Sequence, residues 1–477
     1  MSQKSIAKGS LYLLIAQVIF MASGYIIHFG LARILGPALY GVYGIVLSLI
    51  SIINIIVTSG ASQAISKYIS AGENAEIIKR TSLKFQSFFA LIIFCLYELS
   101  AGIFAKLLGD LNLIPYIRIA GFIPLAYALY TVYVGYFNGL REFKKQAWLQ
   151  IVYSLSKLFF TFILVYLGFS LFGAFIGFAV GPLIGFLMGM IISGIGEKNK
   201  FEWQKLVSFA WPIIVFSVVL AFLVSIDLFS VKAILGENTS AGFYNAATTL
   251  ARVPYTILSV IASVLFPSIS YFLSKKDFER VKYYIEETLR YLILLLIPAT
   301  FLIAGTAKNL ISLIYSTEYL PAAGPLIILI FGFAFLTIFN LLATIIIANG
   351  KPKVSMVMIL GLAIISLILN ILLIPIYGLN GAAFSTTIAC FVGLILSSVY
   401  ILKNFKVLMN WKSFLKILVA SLIIFCFTQL WAVKGIILLV EYGILFLIYF
   451  GLLFLFKEIN KNDIKIVKEL IPRNHQK

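Results

Sequence analysis

The chain has 477 residues, of which 62% are apolar and 12% charged, and its mean hydropathy is +1.06. This composition excludes an ordinary soluble protein, and the short polar connections exclude a separate soluble domain. The net charge of +19 would suggest nucleic acid as a partner of a soluble protein. Here the basic residues flank apolar segments, so we assign them to membrane topology and to anionic lipid headgroups, and expect no nucleic acid.

Fourteen apolar segments follow one another along the chain, and each has about the 20 residues that a helix needs to cross a bilayer. We predict spans at 10–31, 40–60, 82–105, 116–137, 146–167, 171–193, 207–235, 241–272, 288–307, 322–348, 353–374, 380–402, 413–432 and 436–456. The sequence thus predicts an all-α integral membrane protein.

The connections between spans are alternately rich and poor in lysine and arginine. Of the 37 lysines and arginines, 29 lie in every second connection, at the span ends beside it or in the two termini, and two, Lys157 and Arg252, lie deep within spans. The other six lie in the intervening loops or at the ends of the spans beside them: Arg33, Lys106, Arg118, Lys232, Lys308 and Lys434. Because basic flanks resist translocation, both termini are predicted to be cytoplasmic, in a multi-pass protein of the cell membrane.

Two charged segments have the spacing of helices that lie in the membrane interface. Residues 274–290 alternate charge with apolar positions, and residues 457–470 are similar. The chain has three isolated cysteines and two histidines, which offer no metal cluster, and we expect neither a metal nor a cofactor.

The two halves of the chain repeat each other. Aligning Gly36 with Gly236, and Tyr40 with Tyr244, pairs the first two spans with the seventh and eighth; Asn138-Gly139 matches Asn349-Gly350. A repeat of six spans gives two lobes of the same orientation, related by a pseudo-two-fold axis along the membrane normal. We predict lobes at 1–199 and 200–406, with two further spans and a basic tail at 407–477, and a central cleft that opens by rocking.

The signature A-R-x-L-G-P-x-x-Y-G at 32–41, the two Asn-Gly pairs and G-x-x-G-A at 378–382 resemble the polysaccharide-export, or oligosaccharide flippase, branch of the multidrug/oligosaccharidyl-lipid/polysaccharide (MOP) flippase superfamily. The resemblance covers essentially the whole chain. It implies transfer of a polyprenyl-pyrophosphate-linked saccharide to the outer leaflet. In related lipid II flippases two extra C-terminal helices line a groove for the lipid tail, which would correspond to residues 413–456 here.

Ionisable side chains within spans are costly, about 2.5–3.5 kcal/mol each on insertion scales, and mark candidate functional positions. Counting along the helices puts Lys157 and Arg252 near the membrane midplane, and His28, Glu98 and Asp227 in its outer third. A cationic centre favours an anionic substrate such as a pyrophosphate.

Arg252 is the leading candidate for substrate binding, since a guanidinium matches the geometry of phosphate oxygens. Tyr244, Thr248 and Arg252 recur every four residues and form a polar stripe, with Asn245 beside it. The position that matches Arg252 in the first repeat is Ser48. The alternative is a structural ion pair, for instance with Asp227.

The remaining candidates each have two readings. Lys157 binds substrate or pairs with a carbonyl or acid between helices, and Arg33 gates the outer side or anchors at the headgroups. Asp227 binds a coupling Na⁺ or H⁺, or holds Arg252. Glu98 either shares such a coupling or gating role with His28 or forms a structural pair with that histidine.

Four glycines of the sixth predicted span, at positions 173, 177, 181 and 185, have the spacing that permits close helix packing.

The leading interpretation is a lipid-linked oligosaccharide flippase that works by alternating access as a monomer. A cation-coupled drug or metabolite antiporter of the same superfamily is the alternative, although acids rather than bases would then line the cleft. A saccharide polymerase or ligase would need positioned acid and base groups on a sizeable outer loop, which the sequence lacks, so we expect no enzyme.

Overall fold

The structure is a computed structural model that describes residues 3–199, 201–275, 277–431 and 433–459. These residues form α-helices and short turns of 3-10 or π helix, with no β-strand among them. The all-α prediction is confirmed. The chain divides into two compact units, Met1–Asn245 and Ala246–Lys477, and the boundary falls within one helix. The lobe boundaries drawn from the repeat stay a prediction.

The first unit is a bundle of packed helices. Its helices are α1 (Gln3–Thr58), α2 (Ala61–Ser70), α3 (Ala75–Leu107), α4 (Ile114–Ala120), α5 (Phe122–Gly139), α6 (Phe143–Leu164), α7 (Ser170–Ser193), α8 (Trp203–Leu235) and the start of α9 (Asn238–Ser274). Helices α5, α6 and α7 pack on one another, and α1 packs on α6 and α8.

The second unit begins within α9. Its remaining helices are α10 (Phe278–Gly305), α11 (Ala307–Ile314), α12 (Ala323–Ala348), α13 (Pro352–Phe405), α14 (Trp411–Leu430) and α15 (Ile437–Leu455). Helix α12 packs on α13, and the C-terminal pair α14 and α15 packs on α10. Tyr449 of α15 fixes this pair by donating a hydrogen bond of 2.8 Å to the carbonyl of Leu294 in α10.

Single residues break the longest helices where the sequence predicts loops. Gly36 in α1 has φ 73° and ψ 172°, and Gly378 in α13 has φ 56° and ψ −130°. Glycine alone adopts a positive φ without steric cost. A Cβ on Gly393 would lie 2.5 Å from Leu362, so the two halves of α13 fold back on each other.

Within the described residues, ten helical segments are long and apolar enough to cross a membrane. They include residues 11–70, 143–193 and 352–405, each far longer than a bilayer of about 30 Å requires. Each of these contains a break, which is why ten segments correspond to more predicted spans. The number fourteen stays a prediction.

The segment predicted to lie in the interface at 274–290 is instead the start of α10, and this prediction is wrong. The Asp277 carboxylate caps the helix by accepting from the Arg280 amide at 3.1 Å, and the helix continues unbroken to Gly305. Its apolar stripe, including Val281 and Ile285, is fully buried in the core of the second unit. Packing in this core requires an apolar stripe on the helix, just as a position in the membrane interface does. The similar segment at 457–470 lies mostly outside the described residues.

Candidate functional site

Lys157 lies inside the first unit with only 4% of its surface exposed. Its ammonium is 5.1 Å from the ring centroid of Phe20, 5.2 Å from that of Tyr153 and 5.1 Å from that of Phe178. Among the described residues, no carboxylate or carbonyl oxygen is recorded as its partner. The predicted alternative of a paired structural lysine therefore gives way to an aromatic cage.

The cage compensates only part of the cost of burying this charge. Cation–π contacts contribute about 0.5–2 kcal/mol, whereas desolvation of an ammonium costs several kcal/mol. Charge without a carboxylate in an otherwise aromatic pocket is suited to an anionic ligand. The rings supply the walls, and the ligand would supply the counter-charge.

The glycines of α7 position Lys157, and the prediction of close packing is confirmed. A Cβ on Gly177 would lie 2.4 Å from the Thr161 amide, and one on Gly181 would lie 2.7 Å from the Cβ of Lys157. Helix α7 therefore packs almost backbone to backbone on α6. This close approach lets Phe178 of α7 reach the ammonium.

A wall of rings joins Lys157 to His28. The His28 Nδ1 lies 3.1 Å from the Tyr40 hydroxyl, and the ring of His28 lies 5.4 Å from that of Tyr43. Tyr43 in turn lies 6.1 Å from Phe178, a member of the cage. The structure thus brings two of the predicted residues into one continuous aromatic surface.

Glu98 does not join this surface. Its carboxylate lies 3.9 Å from the guanidinium of Arg118, across the turn that links α3 and α4. The predicted pairing of Glu98 with His28 is wrong, because the carboxylate of Glu98 on α3 lies beside Arg118 on α4 instead. Arg33 lies exposed on α1, three residues before the break at Gly36, and both of its predicted roles stay open.

Asp227 and Tyr244 are both buried, at 3% and 1% exposure, and the Tyr244 hydroxyl donates to Asp227 Oδ2 at 3.1 Å. Asn245 packs against α1, where a Cβ on Gly44 would lie 2.4 Å from its Cγ. These contacts tie α8 and α9 to α1. A coupling role for Asp227, and its pairing with Arg252, stay predictions.

Arg252 lies in the second unit on α9. Its guanidinium carbon is 5.6 Å from the ring centroid of Phe333 on α12, and its backbone carbonyl accepts from the Thr256 hydroxyl at 2.9 Å. Thr248, one turn earlier, is 7% exposed. Both midplane cations are therefore placed against aromatic rings, each in its own unit. A single cleft that contains both stays a prediction.

An ion-pair network at the α8–α9 turn was missed from the sequence. Lys232 is 1% exposed, and its ammonium lies 3.0 Å from Asp110 Oδ2 and 2.8 Å from the Gly236 carbonyl. Asn238 at the start of α9 donates to the same carboxylate oxygen at 3.1 Å. Burial raises the pKa of Asp110, but the hydrogen bonds from Lys232 and Asn238 outweigh it, and the pKa is lowered.

Lys232 lies within the predicted span 207–235, near its outer end, and the charge pattern groups it with the outer loops. The rule that a charge within a span seeks a partner applies to it as well. Asp110 carried a weaker signal: it follows Gly109 in a short turn, where its side chain also caps a 3-10 helix through the Asn112 amide.

The two repeat-related segments contact each other close to this network. A Cβ on Gly41 would lie 1.9 Å from the Asn238 carbonyl, and one on Gly242 would lie 1.9 Å from the Pro37 carbonyl. The contact is reciprocal, with the same offset of 201 residues between Pro37 and Asn238 and between Gly41 and Gly242. Reciprocity of this kind is expected where a two-fold axis passes through a contact.

Comparison with known sequences gives a family and several relatives. The sequence model of a family described as polysaccharide biosynthesis protein matches residues 30–324. An uncharacterized membrane protein of Methanocaldococcus jannaschii is 27% identical over 386 residues, which cover 74% of this chain and 75% of that protein. A probable low-salt glycan biosynthesis flippase of Haloferax volcanii is 25% identical over 172 residues, or 35% of this chain and 36% of that protein.

Solved structures share the fold. The lipid II flippase MurJ in an inward closed conformation superposes with a TM-score of 0.75 at 18% identity, covering 96% of this chain and 100% of MurJ. A MOP superfamily transporter from Pyrococcus furiosus, described with a binding pocket of reversed polarity, gives 0.60 at 14% identity and covers 84% and 96%. At these identities the likeness establishes the fold alone.

Proposed function

Because this chain belongs to the polysaccharide biosynthesis protein family of MOP superfamily flippases, we propose that it translocates a lipid-linked oligosaccharide across the membrane. It is a multi-pass membrane protein and a transporter rather than an enzyme. The proposed substrate carries its saccharide on a polyprenyl phosphate or pyrophosphate and moves from the inner to the outer leaflet, for the synthesis of a cell-surface glycan.

The observation that carries this proposal is the caged ammonium of Lys157. A buried cation walled by Phe20, Tyr153 and Phe178 is suited to a phosphate group, whose charge compensates the lysine when the substrate binds. A pocket for cationic drugs would need a carboxylate in this position. The drug antiporter alternative therefore has less support.

Arg252 is the second proposed contact to the phosphate groups. It lies on the ring of Phe333 with Thr248 one turn away, and its guanidinium offers two parallel donors to a phosphate. Lys157 and Arg252 would each contact the phosphate groups of the substrate in the course of alternating access. Tyr244, Asn245 and Asp227 would then transmit the movement of α9 to α8 and α1.

The names of similar proteins agree with this substrate class, since they include a glycan biosynthesis flippase and a lipid II flippase. We further propose that both termini are cytoplasmic and that the protein lies in the cell membrane as a monomer. The basic connections support that orientation. Asp227 is the proposed site of Na⁺ or H⁺ coupling.

The test is export of surface glycan in a host that lacks its own copy of the gene. Arg252→Ala is expected to abolish export, and Lys157→Ala to reduce it strongly, while both proteins remain at normal levels in the membrane. The matched control is Lys106→Ala, since Lys106 is an exposed lysine of the same unit. Wild-type export in both variants, or transport of cationic dyes by the unmodified protein, would overturn the proposal.

A further inference from the structure

Glu441 is a buried acid that neither the sequence interpretation nor the proposed substrate path uses. It lies on α15 with 3% of its surface exposed, in one stripe with Leu438, Leu445 and Tyr449. Neither of its carboxylate oxygens has a hydrogen-bond partner within the part of the chain that the structure describes. A carboxyl group in these surroundings stands out, because buried polar atoms are nearly always hydrogen-bonded.

The neighbouring helices provide no counter-charge. Residues 294–305 of α10 contain no ionisable side chain, and residues 420–430 of α14 contain only the exposed Cys426. On α15 the nearest ionisable groups are Tyr442 and Tyr449, whose hydroxyls bond to Thr306 and to the Leu294 carbonyl. The lysines at this end of the unit, Lys308 and Lys434, are exposed.

An ionised carboxylate without a partner is much more costly to bury than a neutral carboxylic acid. Packing does not explain the residue either, since a leucine would complete the stripe at lower cost. An acid buried at such a position within a membrane span points to a function in which its carboxyl group gains and loses a proton.

A cavity lies next to the turn between α10 and α11, where Thr306 contacts Tyr442 of α15. This largely apolar cavity of about 470 Å³ has Thr306, Lys308, Asn309, Thr428 and Gln429 as the polar part of its lining. The Thr306 hydroxyl lies 2.5 Å from the hydroxyl of Tyr442, the residue that follows Glu441. This hydroxyl pair connects α15 to the edge of the cavity, one residue along the helix from Glu441.

We propose that Glu441 is a proton-binding site, occupied while α15 is packed on α10 and α14. Release of the proton leaves a charge among Leu438, Leu445 and their neighbours, and therefore loosens the C-terminal helix pair. Protonation of one side chain thereby controls the packing of α14 and α15, whatever substrate the transporter carries.

Infrared spectroscopy of the purified full-length protein tests this without any substrate. We expect the carbonyl band of a protonated carboxylic acid at neutral pH, its loss at alkaline pH, and its absence in Glu441→Gln. The matched control Glu287→Gln removes a carboxylate that already has a partner in Arg290, and should keep the band. A band unaffected by Glu441→Gln, or no band in the unmodified protein, would overturn the proposal.

Thermal unfolding gives an independent readout. The unmodified protein should lose stability as the pH rises and Glu441 ionises, whereas Glu441→Gln and Glu441→Leu should retain it, since both keep the position neutral. Stabilisation of the unmodified protein by Na⁺, together with absence of the band in Na⁺-free buffer at neutral pH, would identify a cation site instead and refute proton binding. Because neither measurement involves transport, failure here leaves the proposed flippase function to its own test.

Discussion

Lys157 and Lys232 are two buried lysines of the same unit, 4% and 1% exposed, with opposite surroundings. Lys232 lies 3.0 Å from the Asp110 carboxylate and also donates to a backbone carbonyl. The ammonium of Lys157 lies 5.1–5.2 Å from the centroids of three aromatic rings, and no carboxylate among the described residues pairs with it. A lysine whose charge is compensated by its own chain fixes structure; one held only by rings is available for an anion that comes and goes.

The largest expected effect is on stability, at Lys232. Lys232→Met leaves the partly buried Asp110 without its charged partner, which should cost about 1.5–3 kcal/mol of unfolding free energy, the contribution of hydrogen bonds to charged groups. Thermal unfolding in detergent would measure this loss. The double variant Asp110→Asn/Lys232→Met should recover most of it, because no charge is then left unpaired. A loss in Lys232→Met no greater than that in Lys106→Ala would contradict the structural role of the pair.

The same substitution at Lys157 should reduce transport while leaving the stability of the protein nearly unchanged. Lys157→Met removes cation–π contacts that contribute about 0.5–2 kcal/mol, but it also removes the cost of burying a charge. Because these two effects oppose each other, the free energy of unfolding should change little. Export should fall about tenfold to a hundredfold, since hydrogen bonds to charged groups contribute about 1.5–3 kcal/mol. Lys157→Arg should retain more export than Lys157→Met. Equal export in the three proteins would mean that the caged lysine does not contact the substrate.

The packing that positions Lys157 can be disturbed without touching its charge. Gly181→Ala places a methyl group 2.7 Å from the Cβ of Lys157 and should cost about 1–3 kcal/mol by overpacking. Gly102→Ala is the matched control, because a Cβ on Gly102 meets no atom within 4 Å. Unfolding and export measured together would show whether displacement of α7 alone impairs transport. Similar stability of the two variants would argue against close α6–α7 contact.

The smallest effect is a dependence of stability on acid pH. Hydrogen bonds from Lys232 and Asn238 lower the pKa of Asp110 from its ordinary 3.8, so its contribution is complete above that value. The contribution is lost as the pH falls through the lowered pKa. Unfolding below pH 3.8 should therefore depend on pH less in Asp110→Asn than in the unmodified protein. An identical dependence in both proteins would indicate that the pair is not formed.

Local pattern was sufficient for much of the fold. Runs of apolar residues predicted the helices, and L-G-P around Gly36 and the glycine at 378 marked the breaks, because glycine permits a positive φ. Pattern failed at 274–290, where the apolar stripe of α10 fits an interface and a protein core equally well. Periodicity reports which face is apolar, and it cannot report what covers that face.

The candidate site was predicted in part. Counting along the helices identified Lys157 and Arg252 as cations within spans, and the order of charges fixed which loops are basic. Counting could not distinguish Lys157 from Lys232, since the partners of both are distant in the chain: Phe20 precedes Lys157 by 137 residues, and Asp110 precedes Lys232 by 122. Glu441 is different, because it lies within the predicted span 436–456 and the rule for ionisable side chains within spans applies to it directly.

By itself, the sequence determined the helices, their breaks and the duplicated segments, because hydrophobic length, glycine conformation and repetition are properties of neighbouring residues. The tertiary structure alone decided which buried charges have partners. That outcome depends on the rotation and register of helices packed side by side, which place Asp110 against Lys232, three rings around Lys157 and apolar stripes around Glu441.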